Sequence, residues 1–341
     1  MNKRKVTLLA LVLVIALALT ALTGCGNGNT QEQPTGSPDR QTSEQSPQAS
    51  EEQEQTSSLP TEDRAGNAIA VPESIEKIVS LAPATTQVLE SLGLKDKLVG
   101  VDTQTPLYVE GVDALPQFDM MAPDAEAIIA LEPDIVFVSG ISMVEGDDPF
   151  KAVKDVGICV AEIPSSESIE GVQEDIAFLA NCCGQGTKGQ EIIDQMQQDI
   201  DEIAAIGDTI TEKKTVLFEI SALPSIYSFG DGVFLDEMLE ILGAENVFAD
   251  QQSWISVTEE SAIAANPDVI LTSVNYIDDP AGEILGRTGW ENVTAVKNKE
   301  VYVIDNGASS LPNQHIVDAL KQMAKAIYPE QYAQIEDPFA E

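Results

Sequence analysis

Two stretches of the chain repeat one pattern, and this repetition constrains the fold more than any other feature. EAIIALEPDIVFVSG begins at Glu126 and ESAIAANPDVILTSV begins at Glu260; in each, a glutamate stands seven residues before a Pro-Asp pair. Each stretch reads as a short helix, a proline at which a helix stops, and an apolar strand. A chain that repeats this unit in its two halves is predicted to contain two similar lobes.

Short apolar strands alternate with helical patterns on both sides of one long amphipathic stretch. Runs such as KIVSL, KLVGVD and CVAEIP are separated by helical segments, which is typical of parallel sheets built from βα units. Between the halves, apolar residues from Ile192 to Ile206 recur at three- and four-residue steps, which predicts a helix about 30 Å long. The predicted fold is α/β, with two Rossmann-like lobes, parallel sheets, a single long connecting α-helix and a ligand cleft between the lobes.

The first 62 residues differ in composition from the rest. A basic start, an apolar run and small residues precede Cys25, which is typical of an export signal, and LTGC resembles the lipobox of bacterial lipoproteins. That resemblance implies cleavage before Cys25 and lipidation of its thiol. The next residues are polar and poor in apolar side chains, so they are predicted to be a disordered tether. The predicted segments are a signal peptide at 1–24, lipidated cysteine and tether at 25–62, an N-terminal lobe at 63–185, a connecting helix at 186–208 and a C-terminal lobe at 209–341.

The charge of the chain excludes some partners. From residue 63 onward the chain carries 14 Lys and Arg against 50 Asp and Glu, so it repels nucleic-acid phosphates, and no nucleic-acid partner is expected. Cys159, Cys182 and Cys183 show no CxxC spacing, so a zinc or iron–sulfur site is not supported and no cofactor is expected. We interpret the adjacent pair as free thiols, with a vicinal disulfide as the alternative. The absence of GxSxG and GxxxxGK motifs argues against an enzyme.

Several stretches in one order carry a family resemblance. They include DRAGNAIAVPESIEKIVSLAPATTQVLESLGLKDKLVGVD, YSFGDGVFLDEMLEILGAENVF, GWENVTAVKNKEVYVID and IVDALKQMAKAIYPE. Together with the two Pro-Asp strands, they resemble the substrate-binding lipoproteins of ABC importers for cobalamin and ferric siderophores. The resemblance implies that Glu126 and Glu260 dock into arginine pockets of a permease. The alternative is that both merely complement helix N-termini, and SVTE, Ser256 to Glu259, is a candidate capping box that favours this for the second site.

The candidate ligand residues are mostly aromatic. The resemblance implies that Trp254 stacks on the ligand. Three further aromatic residues are predicted to follow strand ends in the second lobe, namely Tyr227, Phe229 and Tyr276. Large flat ligands would meet aromatic walls there. Pro83 is predicted at the junction of the first strand and its helix. Arg287 is the cationic candidate near the second lobe, with pairing to a neighbouring acid as its alternative. The full candidate set is Pro83, Tyr227, Phe229, Trp254, Tyr276, Arg287 and His315.

Two departures from the resembled family bear on the ligand. The family often has Thr-Glu where this chain has Thr86-Gln87, and the stretch often rich in arginine before the last helix reads SSLPNQHIVDAL. His315 takes the place of a frequent arginine; it either reaches the ligand or its metal, or is a solvated residue near the helix start. Fewer arginines weaken the hypothesis of an anionic catecholate siderophore.

The sequence therefore predicts a monomeric receptor anchored by lipidated Cys25 to the outer face of the bacterial cytoplasmic membrane. The predicted ligand is a metal chelate, cobalamin or a related corrinoid, carried to an ABC permease dimer with its ATPase subunits. A ferric hydroxamate siderophore and then haem are the alternatives within this class, haem needing a Tyr or His axial ligand. A surface sensor or adhesion lipoprotein is the alternative of a different class. A zinc or manganese receptor is disfavoured by the single histidine.

Overall fold

Parallel pairing organises both main sheets. The computed structural model describes residues 59–143 and 148–340. The strands of the first sheet are β1 (Ile78–Leu81), β2 (Leu98–Asp102), β3 (Gln117–Phe118), β4 (Ile135–Ser139) and β5 (Cys159–Ile163). They pair in the order β3-β2-β1-β4-β5, and every pair is parallel. The order reverses between β1 and β4, and such a switch point opens a crevice at the carboxyl ends of the strands.

The second sheet repeats this arrangement with fewer strands. Its strands are β6 (Thr215–Glu219), β8 (Glu245–Asn246), β10 (Val269–Thr272) and β11 (Val301–Val303). They pair in parallel in the order β11-β10-β6-β8. A separate antiparallel ribbon is formed by β7 (Ile226–Phe229) and β9 (Trp254–Val257). This ribbon follows the carboxyl end of β6, because the backbone N–H of Ile220 donates to the carbonyl of Tyr227.

Helices lie between these strands along the chain and after the last strand. They are α1 (Pro83–Ser91), α2 (Ala125–Ala130), α3 (Lys151–Asp155), α4 (Ile169–Cys182), α5 (Gly186–Gly207), α6 (Phe234–Ile241), α7 (Glu259–Ala265), α8 (Pro280–Leu285), α9 (Thr294–Asn298), α10 (Asn306–Ser310) and α11 (Ile316–Ile327). The chain passes from the first sheet to the second through α5, which has 22 residues and is therefore about 33 Å long.

Glycines bring α5 close to its neighbours at both ends. A Cβ atom on Gly189 would lie 2.3 Å from Cβ of Ala180 in α4, and one on Gly207 would lie 2.0 Å from the carbonyl oxygen of Ile241 in α6. Only glycine permits such close contact. The connecting helix is therefore packed tightly against a helix from each half, and its buried Met196, Ile200 and Ile203 belong to the main core.

The repeated sequence unit forms the same structure in both sheets. In each copy the helix is followed by a left-handed residue, Glu132 with φ 51° or Asn266 with φ 46°, and the proline and aspartate come next. The chain then enters β4 or β10, and these strands pair with β1 and β6 respectively.

The repeated aspartates explain why the unit ends in Pro-Asp. Asp134 accepts hydrogen bonds from the backbone N–H of Glu76 at 2.7 Å and of Lys77 at 2.9 Å. Asp268 accepts from the N–H and the hydroxyl of Thr215, both at 2.9 Å. Each carboxylate thus satisfies backbone donors where the neighbouring strand begins, which fixes the register of the central strand pair.

The predicted α/β class, the two lobes with parallel sheets and the long connecting helix are confirmed. The predicted segment boundaries remain a prediction, and Cys25 lies outside the described residues. Thr61 and Glu62 already pair with Ile69 and Ala68. Within the described residues, no helix combines the length and apolar character needed to span a bilayer.

Candidate functional site

A small cavity lies at the carboxyl edge of the first sheet. Its walls come from the residues that follow β1, β4 and β5, and from the loop after α10 in the second half of the chain. Pro83, the first residue of α1, is part of this wall. The volume is about 160 Å³, below the roughly 300–1,000 Å³ of sites for drug-sized ligands. This cavity alone is therefore too small for a ligand of the size of a corrinoid.

The small cavity contains one charged side chain, Asp175. This carboxylate is 5% exposed and accepts hydrogen bonds from Arg64 Nε at 2.6 Å and from the Ser166 hydroxyl. Burial raises the pKa of Asp175, against the effect of these donors. The carboxylate is thus already partnered, and the rest of the cavity wall is largely apolar.

A larger cavity of about 800 Å³ is lined by residues of both halves. From the first half come Gln87, Leu107 and Tyr108, and from the second come residues after β10 and β11 together with His315. Its carboxylates are those of Asp278, Asp305 and Asp318. His315 is the N-cap residue of α11 and its Nδ1 lies 2.9 Å from Asp318 Oδ2.

Neutral hydrogen bonds join the two halves beside these cavities. Asn313 Nδ2 donates to Gln87 Oε1 at 2.7 Å, and the Tyr108 hydroxyl donates to Asn306 Oδ1 at 3.1 Å. Gln87 is the residue that stands where the resembled family often has glutamate. Each such bond contributes about 1 kcal/mol net, so these two bonds add only a small part of the free energy that holds the lobes together.

Several cations of the described chain lie at the sheet edges opposite the cleft. Lys77, Lys97 and Lys214 each directly precede a strand, β1, β2 and β6 respectively, and so lie at the edges opposite the carboxyl ends. Among the described residues that line the two cavities there is no lysine and no arginine. The cleft therefore offers no ion pair to an anionic ligand.

Three predicted ligand residues share one face of the ribbon. Phe229 and Trp254 are directly paired across β7 and β9, and Tyr227 stands two residues before Phe229 on the same face. Trp254 packs edge-on against Phe229 at 6.1 Å and Phe234 at 6.3 Å between ring centroids. Phe229 is fully buried, whereas Tyr227 and Trp254 are 40% and 38% exposed. Phe229 thus supports the face and the other two residues present it, but none of the three lines either of the two cavities described above.

The structure separates the remaining candidates. Tyr276 is well exposed after β10, and its hydroxyl accepts from the N–H of Ala222, which lies between β6 and the ribbon. Arg287 lies inside the second lobe, where its guanidinium bonds both oxygens of Glu219 at 2.7 and 2.8 Å and also Glu283. The position of Arg287 therefore supports the alternative that it pairs with acidic residues. Pro83 and His315 line different cavities from each other.

The two candidate docking glutamates occupy equivalent positions. Glu126 is the second residue of α2 and Glu260 is the second residue of α7, and both are exposed. Each helix is capped by the residue two positions earlier, Asp124 or Thr258, whose side chain accepts a backbone N–H of the first turn. The capping box predicted from Ser256 is wrong, because Thr258 is the N-cap residue.

The three described cysteines are free thiols. Burial raises the pKa of Cys159 to about 11 and that of Cys183 to about 12, and it also raises the pKa of Cys182. Thiols this far from ionisation are poor nucleophiles and poor metal ligands. No group of three or more potential metal-ligating side chains occurs within the part of the chain that the structure describes.

Sequence reasoning missed the residues that join the lobes. Tyr108 lies in the segment that follows β2, and Asn306 is the first residue of α10, which follows β11; position after a strand end was the one available signal. Gln87 was noticed as a departure from a family pattern, without the hydrogen bond to Asn313 that gives it a role.

Comparison with known proteins identifies relatives along most of the chain. A sequence profile of the family described as periplasmic binding protein matches residues 78–308. The chain is 31% identical over 273 residues to an uncharacterised ABC transporter substrate-binding lipoprotein, YvrC of Bacillus subtilis, covering 80% of this chain and 86% of that one. It is 26% identical over 282 residues to a cobalamin-binding protein of Halobacterium salinarum, covering 78% and 73%.

The fold is also similar to that of solved proteins. The molybdate-binding protein MolA of Haemophilus influenzae, in a structure with molybdate bound, superposes with a TM-score of 0.70 at 22% identity, covering 82% of this chain and 94% of that one. At this identity the likeness shows the fold alone. The names of these relatives cover a corrinoid and an oxyanion, so the ligand must be argued from the residues of this chain.

Proposed function

The chain belongs to the periplasmic binding protein family, whose members are substrate-binding proteins of ABC transporters, and from this premise we propose that it captures cobalamin or a related corrinoid. The observation that carries the proposal is the aromatic face of the ribbon, with Tyr227 and Trp254 partly exposed above buried Phe229. A corrin is large and flat, and its amide side chains make it rich in neutral hydrogen-bonding groups. Aromatic side chains suit such a ligand.

The distribution of charge supports a ligand without net negative charge. The residues lining the two cavities include aspartates and no lysine or arginine, and Arg287 is held by Glu219 and Glu283. Haem carries two propionates and molybdate is a dianion, and among the described residues neither cavity wall has a lysine or arginine that could pair with them. A neutral ferric hydroxamate meets the same electrostatic condition as cobalamin and is the second candidate.

Delivery to a permease is the second part of the proposal. Glu126 and Glu260, exposed at equivalent positions of α2 and α7, would each engage an arginine pocket of an ABC permease. Charged pairs of this kind set orientation and association rate. We place the receptor outside the cytoplasm, anchored through a lipid on Cys25.

Calorimetric titration of residues 26–341 with cyanocobalamin tests the ligand. Tight one-to-one binding is expected, with haemin as an anionic comparison and a ferric hydroxamate as the neutral one. Binding of the hydroxamate without binding of cyanocobalamin would replace the corrinoid by the second candidate. Binding of neither, with the protein folded, would favour a sensor or adhesion role.

Uptake of labelled cyanocobalamin by cells of the native host tests the docking assignment. Glu126→Gln with Glu260→Gln should reduce uptake at least about tenfold, because loss of a charged partner at an interface costs about 2 kcal/mol or more, while Kd for the ligand stays unchanged. The matched control is Glu191→Gln with Glu202→Gln, which removes the same charge from the exposed side of α5. Normal uptake in the first double variant would refute the docking role.

A further inference from the structure

The residue before the second candidate docking glutamate points inward. Glu259 is the first residue of α7, and its Oε1 accepts a hydrogen bond from Trp290 Nε1 at 2.9 Å. Trp290 is fully buried, so its indole N–H requires a partner inside the protein. Glu260, the next residue, is exposed. Two adjacent carboxylates thus have different surroundings, one tied to the core and one free at the surface.

Trp290 is itself held from the other side. The guanidinium carbon of Arg287 lies 4.9 Å from the centroid of the Trp290 ring, a cation–π contact. The same guanidinium bonds both carboxylate oxygens of Glu219, and the two side chains are 3% and 1% exposed. Glu219 is the last residue of β6, so packed side chains run from the carboxyl edge of the second sheet to the first turn of α7.

The first lobe has no counterpart of the Glu259–Trp290 hydrogen bond at the same helix position. Glu126 is preceded by Ala125 in α2, whose side chain can neither accept nor donate a hydrogen bond. Both helices have a side-chain N-cap, so capping alone does not account for Glu259. α7 has only seven residues, and a helix this short depends on tertiary contacts for its orientation.

We infer that Glu259 and Trp290 are positioning residues that orient Glu260 for docking. The inference rests on the proposed docking role of Glu260. The hydrogen bond fixes the first residue of the helix to the core, and the second residue then projects outward in a defined direction. Arg287 and Glu219 hold the indole ring and thereby connect this orientation to the sheet that carries the aromatic ribbon.

A spin label on Cys introduced by Glu260→Cys tests the orientation without any ligand or permease. The full chain is labelled at neutral pH, where the described native thiols are buried or partly buried, and the parent chain without the new cysteine gives the background. Glu259→Ala should increase the mobility of the label, whereas Glu259→Gln should not, because the glutamine oxygen still accepts from the indole N–H. A label introduced by Glu126→Cys on the first lobe should be unaffected. Equal mobility at position 260 in both Glu259 variants would overturn the inference.

Uptake of labelled cyanocobalamin relates the orientation to docking. Glu259→Ala and Trp290→Phe should each lower uptake about fivefold, the factor that corresponds to about 1 kcal/mol for one hydrogen bond, with Kd for cyanocobalamin unchanged and with recovery in Glu259→Gln. Reduced uptake in Glu260→Ala with normal uptake in Glu259→Ala would contradict the positioning role. Normal uptake in Glu260→Ala instead would contradict the proposed docking function, and the label result distinguishes these two failures.

Discussion

Replacing Trp254 by alanine should weaken ligand binding by an amount that follows from its exposure. Trp254 is 38% exposed, so about 90 Å² of a tryptophan surface of about 250 Å² is free to meet a ligand. At about 25 cal/mol per Å², burial of this area contributes about 2 kcal/mol, a factor of about 30 in Kd. The substitution should therefore raise Kd for cyanocobalamin about 30-fold.

The same substitution should also lower the stability of the second lobe. The buried part of the Trp254 ring packs edge-on against Phe229 and Phe234, and its removal leaves these rings partly uncovered. A cost of about 2 kcal/mol is expected, less than for a fully buried tryptophan, which corresponds to a fall in Tm of about 4–8 °C. Trp254→Phe retains a ring in the same place and should recover most of both losses.

Calorimetric titration of residues 26–341 and its variants measures the affinity, and thermal melting measures the stability. The chain has two tryptophans, so in both variants the emission of buried Trp290 reports whether the second lobe is folded. An unchanged Kd in Trp254→Ala, with native Trp290 emission, would refute the assignment of the aromatic face to the ligand. Trp254 would then serve only to cover the ribbon.

Three further changes have defined outcomes. Arg287→Met should lower the free energy of unfolding by about 3–5 kcal/mol, because it leaves the buried Glu219 carboxylate unpaired. Burial raises the pKa of the Glu219 carboxyl, so this loss of stability should become smaller as the pH falls and the carboxylate binds a proton. Melting curves that show an equal loss at acid and neutral pH would contradict this reasoning. Cys159 and Cys183, with pKa values raised to about 11 and about 12, should resist iodoacetamide at about pH 8 until the protein is unfolded, as counted by mass spectrometry; rapid modification of the native protein would exclude their burial. Cys25→Ser should move the protein from the membrane fraction to the soluble fraction on immunoblots, and its retention with membranes would refute lipidation.

The repeated unit made much of the fold predictable. Its strands are short, continuous and apolar, and local pattern is sufficient where a strand is buried on both faces. The Pro-Asp pair marked the end of a helix in the sequence. The role of its aspartate was not predictable, because Asp134 and Asp268 accept hydrogen bonds from residues more than fifty positions away. The long helix was predictable because its periodicity extends over many turns.

The ribbon and the joined lobes were not predictable in the same way. β7 and β9 are four residues each and are separated along the chain by α6 and β8, so nothing local indicates that they pair. Tyr227 and Phe229 were predicted to follow strand ends, whereas they lie within β7. The buried partner of Arg287 was equally hidden, since Glu219 is 68 positions away, whereas Glu283 is only four positions away and fits the neighbouring acid that the sequence offered. Long-range pairing of this kind depends on the complete fold.

The equivalent placement of Glu126 and Glu260 gives a single polypeptide two exposed carboxylates in matching positions. A partner that is itself a two-fold dimer would present the same pocket twice, and a half-turn of the receptor would restore both contacts. Two productive orientations instead of one favour association by RT ln 2, about 0.4 kcal/mol. The Glu259–Trp290 hydrogen bond exists at α7 and not at the same position of α2. This difference is a feature by which such a partner would distinguish one orientation from the other.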